Sequence, residues 1–588
     1  MTIPNGATVA YFSMEICLEQ AIPTYSGGLG VLAGDTLRSA ADLEVPMVAV
    51  TLLHRKGYFT QTLDANGQQH EAEVKWSPET ILEPESARAS VEISGRRVEI
   101  RAWRYDVHGA GGHIVPVFLL DTNLDENAEW DRTLTDCLYG GDSHYRLCQE
   151  VVLGMGGAAM LEAMGYADDA LYHMNEGHAA LITLTLLERE LAGRARHDIS
   201  EADLERVRRR CIFTTHTPVP AGHDKFDEGE YKGVLGDERA QLLVDARVVE
   251  DHTLNMTHLA LRLSRYVNAV AMRHREISQG MFPDYPIDSI TNGVHARTWT
   301  AQPFQELFDR RIPEWRRDNQ YLRYAIDIPL EEILDAHTAT KAALLAEVRK
   351  QTGVKLDPAV MTIGFARRAT PYKRADLLFS DLKRLQAIAE RSGKIQLIFG
   401  GKAHPRDEGG KALIKQIYAA AEALPASVRV VYLENYEMDI AHLMTSGVDL
   451  WLNTPTKPLE ASGTSGMKAA LNGVPSYSVL DGWWVEGCID GVTGWSIGGA
   501  RSDERDEIAD LYVKLERVIL PLFYGLPFSW ATVMRNAIAL NGSFFNTQRM
   551  VGQYVHNAYF PPADQRPIPV AAAKDARETV HSAWAGVR

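Results

Sequence analysis

The chain has 588 residues, and 61 Lys and Arg against 77 Asp and Glu leave a formal net charge of −16. At about 150 residues per domain that length makes two to four domains, and 45% apolar with 23% charged residues excludes wholesale disorder. The acidic balance argues against nucleic acid as the main partner, no apolar run approaches the roughly 18 residues of a membrane span, and no basic patch precedes an apolar N-terminal segment as in a secretory signal.

The apolar runs 7–16 and 46–53 predict buried strands, with the Gly-rich turn YSGGLG and a helical stretch between them. From Gly57 to Val107 the pattern alternates around two turn signals, Asn66-Gly67 and Ser94-Gly95, which predicts β-hairpins inserted into the domain. Further strands are expected at 114–120, 171–173 and 211–215, and a helix over 178–191. The second half is more regular: strands at 361–365, 395–399, 428–433, 448–452 and 476–480 alternate with amphipathic stretches such as 375–390 and 411–424. That alternation is the signature of βαβ units in a parallel, doubly wound sheet. A charged helical segment, 330–351, precedes this block as the expected inter-domain connection, and the Pro/Ala-rich stretch from Pro561 reads as a loosely held tail. The fold class is α/β, with two domains facing each other.

Five scattered cysteines (Cys17, Cys137, Cys148, Cys211, Cys488) form no CxxC pair, which reads as reduced thiols of a cytoplasmic protein. His173 and His178 are the nearest approach to a ligand pair, and no metal site is expected. The chemistry gathers elsewhere. Arg367, Arg368, Lys373 and Arg374 crowd eight residues directly after a strand, where α/β sheets bind ligands and where a helix start adds free N–H groups. Such a run is a phosphate site or a solvated basic turn with about equal weight. The segment from Glu460 to Lys468 (EASGTSGMK) lets backbone N–H groups approach an anion, and it places Lys468 in the first turn of a helix, against the dipole. A lysine there serves as a counter-charge or loses its proton to form a Schiff base; the plainer reading is a flexible loop with an exposed lysine. Ser26–Gly30 is a second anion-binding turn or a tight junction, and His216 at a strand end is by itself more often structural. Together these pieces point to a phosphate-containing cofactor or substrate in an inter-domain cleft.

At this point the chain resembles the α-glucan (glycogen/maltodextrin) phosphorylases, through YSGGLGVLAGD, HRKGYFTQ, NEGHAAL, THTPVPAGHDKF, SITNGVHARTW, RRATPYKR, FGGKAHP, LENYEMDIA and EASGTSGMKAALNG in that order. The resemblance implies a GT-B fold, two Rossmann-like domains around an active-site cleft: residues 1–325 with the inserted hairpins, 326–535 binding pyridoxal 5′-phosphate, and 536–588 packing back on the first. It implies reversible, retaining phosphorolysis. Inorganic phosphate removes the non-reducing terminal glucose of glycogen, starch or maltodextrin as α-glucose 1-phosphate, and the cofactor's phosphate is the acid/base partner of the substrate phosphate. Matched residue by residue, Lys468 carries the cofactor, with Arg367, Thr464 and Gly28 around its phosphate. Arg368 and Lys373 hold the substrate phosphate, and His216 contacts the reacting glucose. Glu460, Ser462, Gly463, Asn292, Tyr436 and Leu29 bind substrate. Two phosphates brought together repel unless cations surround them, so a basic pocket in an acidic protein is intelligible. Domain closure would keep water from the glucosyl intermediate.

Two departures stand out from the better-known members. Gly466 stands where they carry Asn, and SVLDGWWVEG presents Trp483 and Trp484; both match a divergent bacterial and archaeal branch. The chain starts close to its first strand, so no N-terminal phosphorylation switch is expected, while effector binding elsewhere is left open. A cytoplasmic enzyme is expected, without membrane or nucleic-acid partners, and with a homodimer as the assembly to test for. The rivals are a nucleotide-sugar-dependent glucosyltransferase such as a glycogen synthase, which has no need of Lys468, an inactive glucan-binding homologue, and a hydrolase, for which no carboxylate pair can be singled out.

Overall fold

A computed structural model describes residues 7–166, 170–192, 194 and 199–561. Two sheets dominate. The first has nine strands, in the order Asp288–Ser289, Tyr266–Ala269, Cys211–Thr214, Ala170–Asn175, Thr8–Phe12, Met47–Leu52, Ile114–Asp121, Arg96–His108 and Glu83–Ile93. The first seven of these are parallel, and the last two add an antiparallel edge. Val9, Ala10, Tyr11 and Phe12 are all buried, as a central strand covered on both faces requires. The strand order reverses between Thr8–Phe12 and Ala170–Asn175, which opens a crevice at their carboxyl ends.

The second sheet has six parallel strands: Val428–Leu433, Ile395–Gly400, Met361–Ala366, Leu450–Asn453, Ser476–Val479 and Gly494–Ile497. In chain order that is 3-2-1-4-5-6, the doubly wound order of dinucleotide-binding folds, with its switch point between Met361–Ala366 and Leu450–Asn453. The helix Leu330–Thr352 before it carries Glu331 and Glu332 in its first turn and Arg349 and Lys350 in its last, and ends on Gly353 in the left-handed region. It is no bare connector, because Ile333, Leu344 and Val348 are buried in the second half's cores. Residues 294–328 also belong there, through Trp299, Phe304, Phe308 and Trp315. The chain then returns: Met550, Val551, Tyr554, Val555 and Tyr559 pack with Val9, Tyr11, Leu37 and Ala40 of the first half.

Several local expectations shift. The strand expected over 7–16 pairs only over Thr8–Phe12, because the chain beyond leaves the sheet for the crevice. The helix expected over 375–390 begins at Leu382, where the Asp381 side chain accepts the Arg384 N–H at 2.9 Å. Ser94 and Gly95, at φ 52° and 72°, make the two-residue turn of a hairpin, but this hairpin extends the main sheet, because Val91, Ile93, Val98 and Ile100 join its core. The Asn66-Gly67 hairpin, Thr60–Leu63 with Gln69–Ala72, stays a separate two-stranded unit. Tyr266–Ala269, Asp288–Ser289 and Gly494–Ile497 are strands the sequence pattern did not lead one to expect. The expected tail lies outside the described residues beyond Pro561. Among the described residues no single helix is long and apolar enough to cross a membrane.

Candidate active site

The second sheet's switch point places two loops side by side. Met361–Ala366 runs into Arg367, whose N–H donates to the Gly400 carbonyl at 3.1 Å. Leu450–Asn453 leads to Glu460. The Arg367 and Lys373 side chains both donate to Glu460 Oε2, each at 2.5 Å. Burial pushes the Glu460 carboxyl up, but the two cations outweigh it and hold it at about 2. The basic segment does not open an α-helix as expected; Pro371–Lys373 form a single 3₁₀ turn. An anion there would be met by side chains rather than by the start of an α-helix. Lys373 is buried, with its ammonium 4.4 Å from the Tyr372 ring centroid. Arg368 is open to solvent, and the fields of Tyr372, Tyr139, Glu15 and Tyr58 offset its desolvation and raise its pKa. Arg374 is turned away, donating to Glu507 at 2.6 Å and to the Pro455 carbonyl at 2.7 Å.

Lys468 projects from the short helix Ser465–Leu471, whose N-cap is Thr464. It is buried, not exposed, and its ammonium lies 3.8 Å from the Trp299 ring centroid. Desolvation lowers its pKa to about 8, despite the opposing fields of Asp35 and Cys17. Trp299 is fixed in turn: its indole N–H donates to Asp35 Oδ2 at 2.7 Å. Asp35 sits on the helix Gly28–Asp42, which follows the Gly-rich turn, so that helix abuts the lysine. Its N-terminus has no side-chain cap, and space is open within 4 Å of the missing Cβ of Gly28. Leu29 beside it is half-buried. Glu15, just beyond the first strand, shapes this turn by accepting the N–H of Ser26 at 2.5 Å and of Gly27 at 3.2 Å; its other oxygen accepts the Tyr139 hydroxyl at 2.9 Å.

The first sheet's crevice carries His216. Its N–H donates to Glu176 Oε2 at 2.8 Å and its Nε2 donates to Asn175 Oδ1 at 2.7 Å. Asn175 is itself oriented by donating to Ser13 Oγ at 3.1 Å. Burial drives the imidazole pKa down to about 3, so it is neutral in ordinary buffers. Asn292 is buried; its carbonyl accepts from Arg549 at 2.9 Å and its side-chain oxygen has no partner among the described residues. Tyr436 lies within the field of Arg367 and packs beside Gly400. Gly463 turns the Glu460 loop at φ 76°. The structure thus joins Arg367, Lys373 and Glu460 directly and brings Lys468 against the Gly28 helix. Among the described residues no hydrogen bond links His216 or Asn292 to that cluster.

Four participants have no role in the sequence reading: Glu15, Asp35, Tyr139 and Trp299. Trp299 and Asp35 stand inside motifs quoted above, but nothing local says that they touch. The arrangement fits a phosphate-bearing aldehyde cofactor. It offers a buried amine with a depressed pKa and a set of sealed polar atoms without partners among the described residues: Arg367 Nη1, Thr370 Oγ1, Asn453 Oδ1 and Ser462 Oγ. The family model for carbohydrate phosphorylases matches residues 235–493. The chain is 38% identical to the maltodextrin phosphorylase of Thermococcus litoralis, over 94% of this chain and 70% of that protein. It is 38% identical to the glycogen phosphorylase of Mycobacterium tuberculosis, over 95% and 71%, respectively. Against that of Aquifex aeolicus the figures are 34%, 94% and 86%.

Proposed function

The chain belongs to the carbohydrate phosphorylase family, and we propose that it releases α-glucose 1-phosphate from the non-reducing end of an α-1,4-glucan with inorganic phosphate and retention of configuration. The observation that carries this reading is the pairing of a buried Lys468, its pKa lowered to about 8, with two cations that meet on one carboxylate, Glu460. Pyridoxal 5′-phosphate would be held by Lys468, with Arg367, Thr464 and Gly28 toward its phosphate. Bound there, it supplies an acid/base phosphate group close to the substrate phosphate.

The chain's own residues do the rest. Arg368, accessible from the cleft, and Lys373 draw in the substrate phosphate. As it arrives it competes with Glu460 for Arg367 and Lys373, and the released carboxylate turns to the glucosyl hydroxyls. His216 carries its proton on Nε2, because Asn175 Oδ1 accepts there, and so Nδ1 is left to accept from a sugar hydroxyl. Ser462, Gly463, Asn292, Tyr436 and Leu29 line the glucose pocket in this reading, and the two crevices closing on each other exclude water. A phosphate-binding cleft of this kind asks for no nucleic acid. The described cysteines are all free, which suits the cytoplasm.

The test is spectroscopic and chemical. The purified protein, reconstituted with pyridoxal phosphate, should show a bound chromophore that borohydride fixes, and phosphate-dependent release of glucose 1-phosphate from maltodextrin. Lys468→Ala should abolish both. Phosphorolysis surviving that change would overturn the assignment.

A further inference from the structure

Gly466 and Trp483 stand apart in sequence, yet they meet in space. A Cβ built on Gly466 would lie 2.8 Å from Trp483 Cζ2 and 2.8 Å from Ser476 Oγ, closer than real Cβ atoms approach. The far edge of the same indole presses on Gly487, where an added Cβ would stand 2.5 Å from Cζ3, and packs edge-on against Phe545 with ring centroids 4.8 Å apart. Trp483 is 3% exposed. It is wedged between the helix that carries Lys468 and the segments beneath it.

The residues before it grip the same loop. Asp481 Oδ2 accepts the Glu460 N–H at 2.9 Å, and the Trp483 N–H donates to the Ser462 carbonyl at 2.9 Å. Gly482 between them, at φ 53°, comes so near that a Cβ would stand 2.2 Å from the Ser462 carbonyl oxygen. Asp481-Gly482-Trp483 is therefore a cradle under residues 460–466, holding Glu460 and Ser462 by backbone bonds and Gly466 by the indole.

We propose that Trp483 is a positioning residue whose indole, seated on Gly466, sets the height of the Glu460–Lys468 loop over the phosphate cleft. The two departures at Gly466 and Trp483 then form one complementary pair. This rests on the phosphorylase reading for what the loop does; the packing does not depend on it. A side chain at 466 must lift the first turn of the Lys468 helix off the indole or push the indole out, and either motion shifts Ser462, Thr464 and the lysine together.

The experiment is a double-substitution cycle on the holoenzyme, with Gly466→Ala, Trp483→Ala and both together, and Trp483→Leu as the background if Trp483→Ala does not fold. Phosphorolysis by the unsubstituted enzyme tests the function. The cycle tests the pair, read in kcat and KM for phosphate separately and in the affinity of the apoprotein for pyridoxal phosphate. Gly466→Ala alone should cost at least tenfold in kcat/KM and weaken cofactor affinity severalfold, and with position 483 emptied the same change should cost severalfold less in both, the Ser476 Oγ contact being all that remains. Trp483→Phe, which keeps a ring, should retain more of kcat than Trp483→Ala. Equal costs of Gly466→Ala in both backgrounds, or variants that lose thermal stability while kcat and cofactor affinity stay unchanged, would overturn the proposal.

Discussion

At the scale of single residues, Lys468 and Glu460 are perturbed in ways that have measurable consequences. Lys468 has a pKa near 8 in the fold against 10.5 for an ordinary lysine, so between those values the unfolded chain binds more protons than the folded one. Its contribution therefore makes the apoprotein more stable as pH rises from about 8 to about 10.5. Unfolding midpoints across that range should rise less in Lys468→Met. The rate of Schiff-base formation between apoprotein and pyridoxal phosphate should reach half its plateau near pH 8, where half the amine is free. Glu460 has the same slope in a lower window, because its pKa too is lower in the fold than in the unfolded chain. Held at about 2 against 4.5, its pairing stabilises fully above the ordinary value and is lost as pH falls toward the folded one. Glu460→Gln leaves Arg367 and Lys373 buried without a countercharge, which should cost about 3 kcal/mol or more in denaturant unfolding. Added phosphate should restore part of that loss in the variant more than in the unsubstituted protein, because the anion supplies the missing charge.

At the scale of elements, the hairpin Thr60–Leu63 with Gln69–Ala72 acts on the opposite half of the molecule. Gln69 Nε2 donates to the Ala403 carbonyl at 2.9 Å while Gln69 Oε1 accepts the Ala403 N–H at 2.9 Å, and Gln61 Nε2 donates to the Gly401 carbonyl at 3.0 Å. Lys402 answers by donating to the Phe59 carbonyl at 2.8 Å. Gln69→Ala removes two of these bonds and should cost about 2 kcal/mol. Hydrogen exchange should then speed up at the Ala403 amide while the amides of Thr8–Phe12 stay protected. The sequence announced this hairpin through Asn66-Gly67, because a two-sided polar alternation with a turn signal is a local property. What it docks on is not local, so it read only as an insertion. The same limit explains the basic segment: four cations after a strand were visible, but only the neighbouring strand, Leu450–Asn453, brought Glu460 to neutralise two of them.

At the scale of the whole molecule, each sheet opens a crevice at its switch point, and the C-terminal segment ties the halves together. Tyr554 OH accepts from Asn268 Nδ2 at 3.0 Å and meets Thr214 Oγ1 at 3.1 Å, while Tyr559 OH lies 2.7 Å from His173 Nδ1. Burying Met550, Val551, Tyr554, Val555 and Tyr559 contributes on the order of 1.5–3 kcal/mol per side chain. Their sum rivals the roughly 5–15 kcal/mol stability of a typical domain. A chain ending after residue 546 should therefore yield no cooperative thermal transition from its first half; an unchanged transition would refute this role.

The sequence by itself determined the α/β class, the parallel alternation of the second half, and the family, because strand and helix periods and short motifs are written in neighbouring residues. Its acidity also stands, with the −16 set against cations clustered in one cleft. Only the tertiary structure decided that Trp299 rests on Lys468 and is held by Asp35, that Glu15 shapes the Gly-rich turn, and that a side chain at Gly466 would meet Trp483. Those are contacts between residues far apart in the chain, and the strand order that brings them together is a global balance of burial that no local window contains.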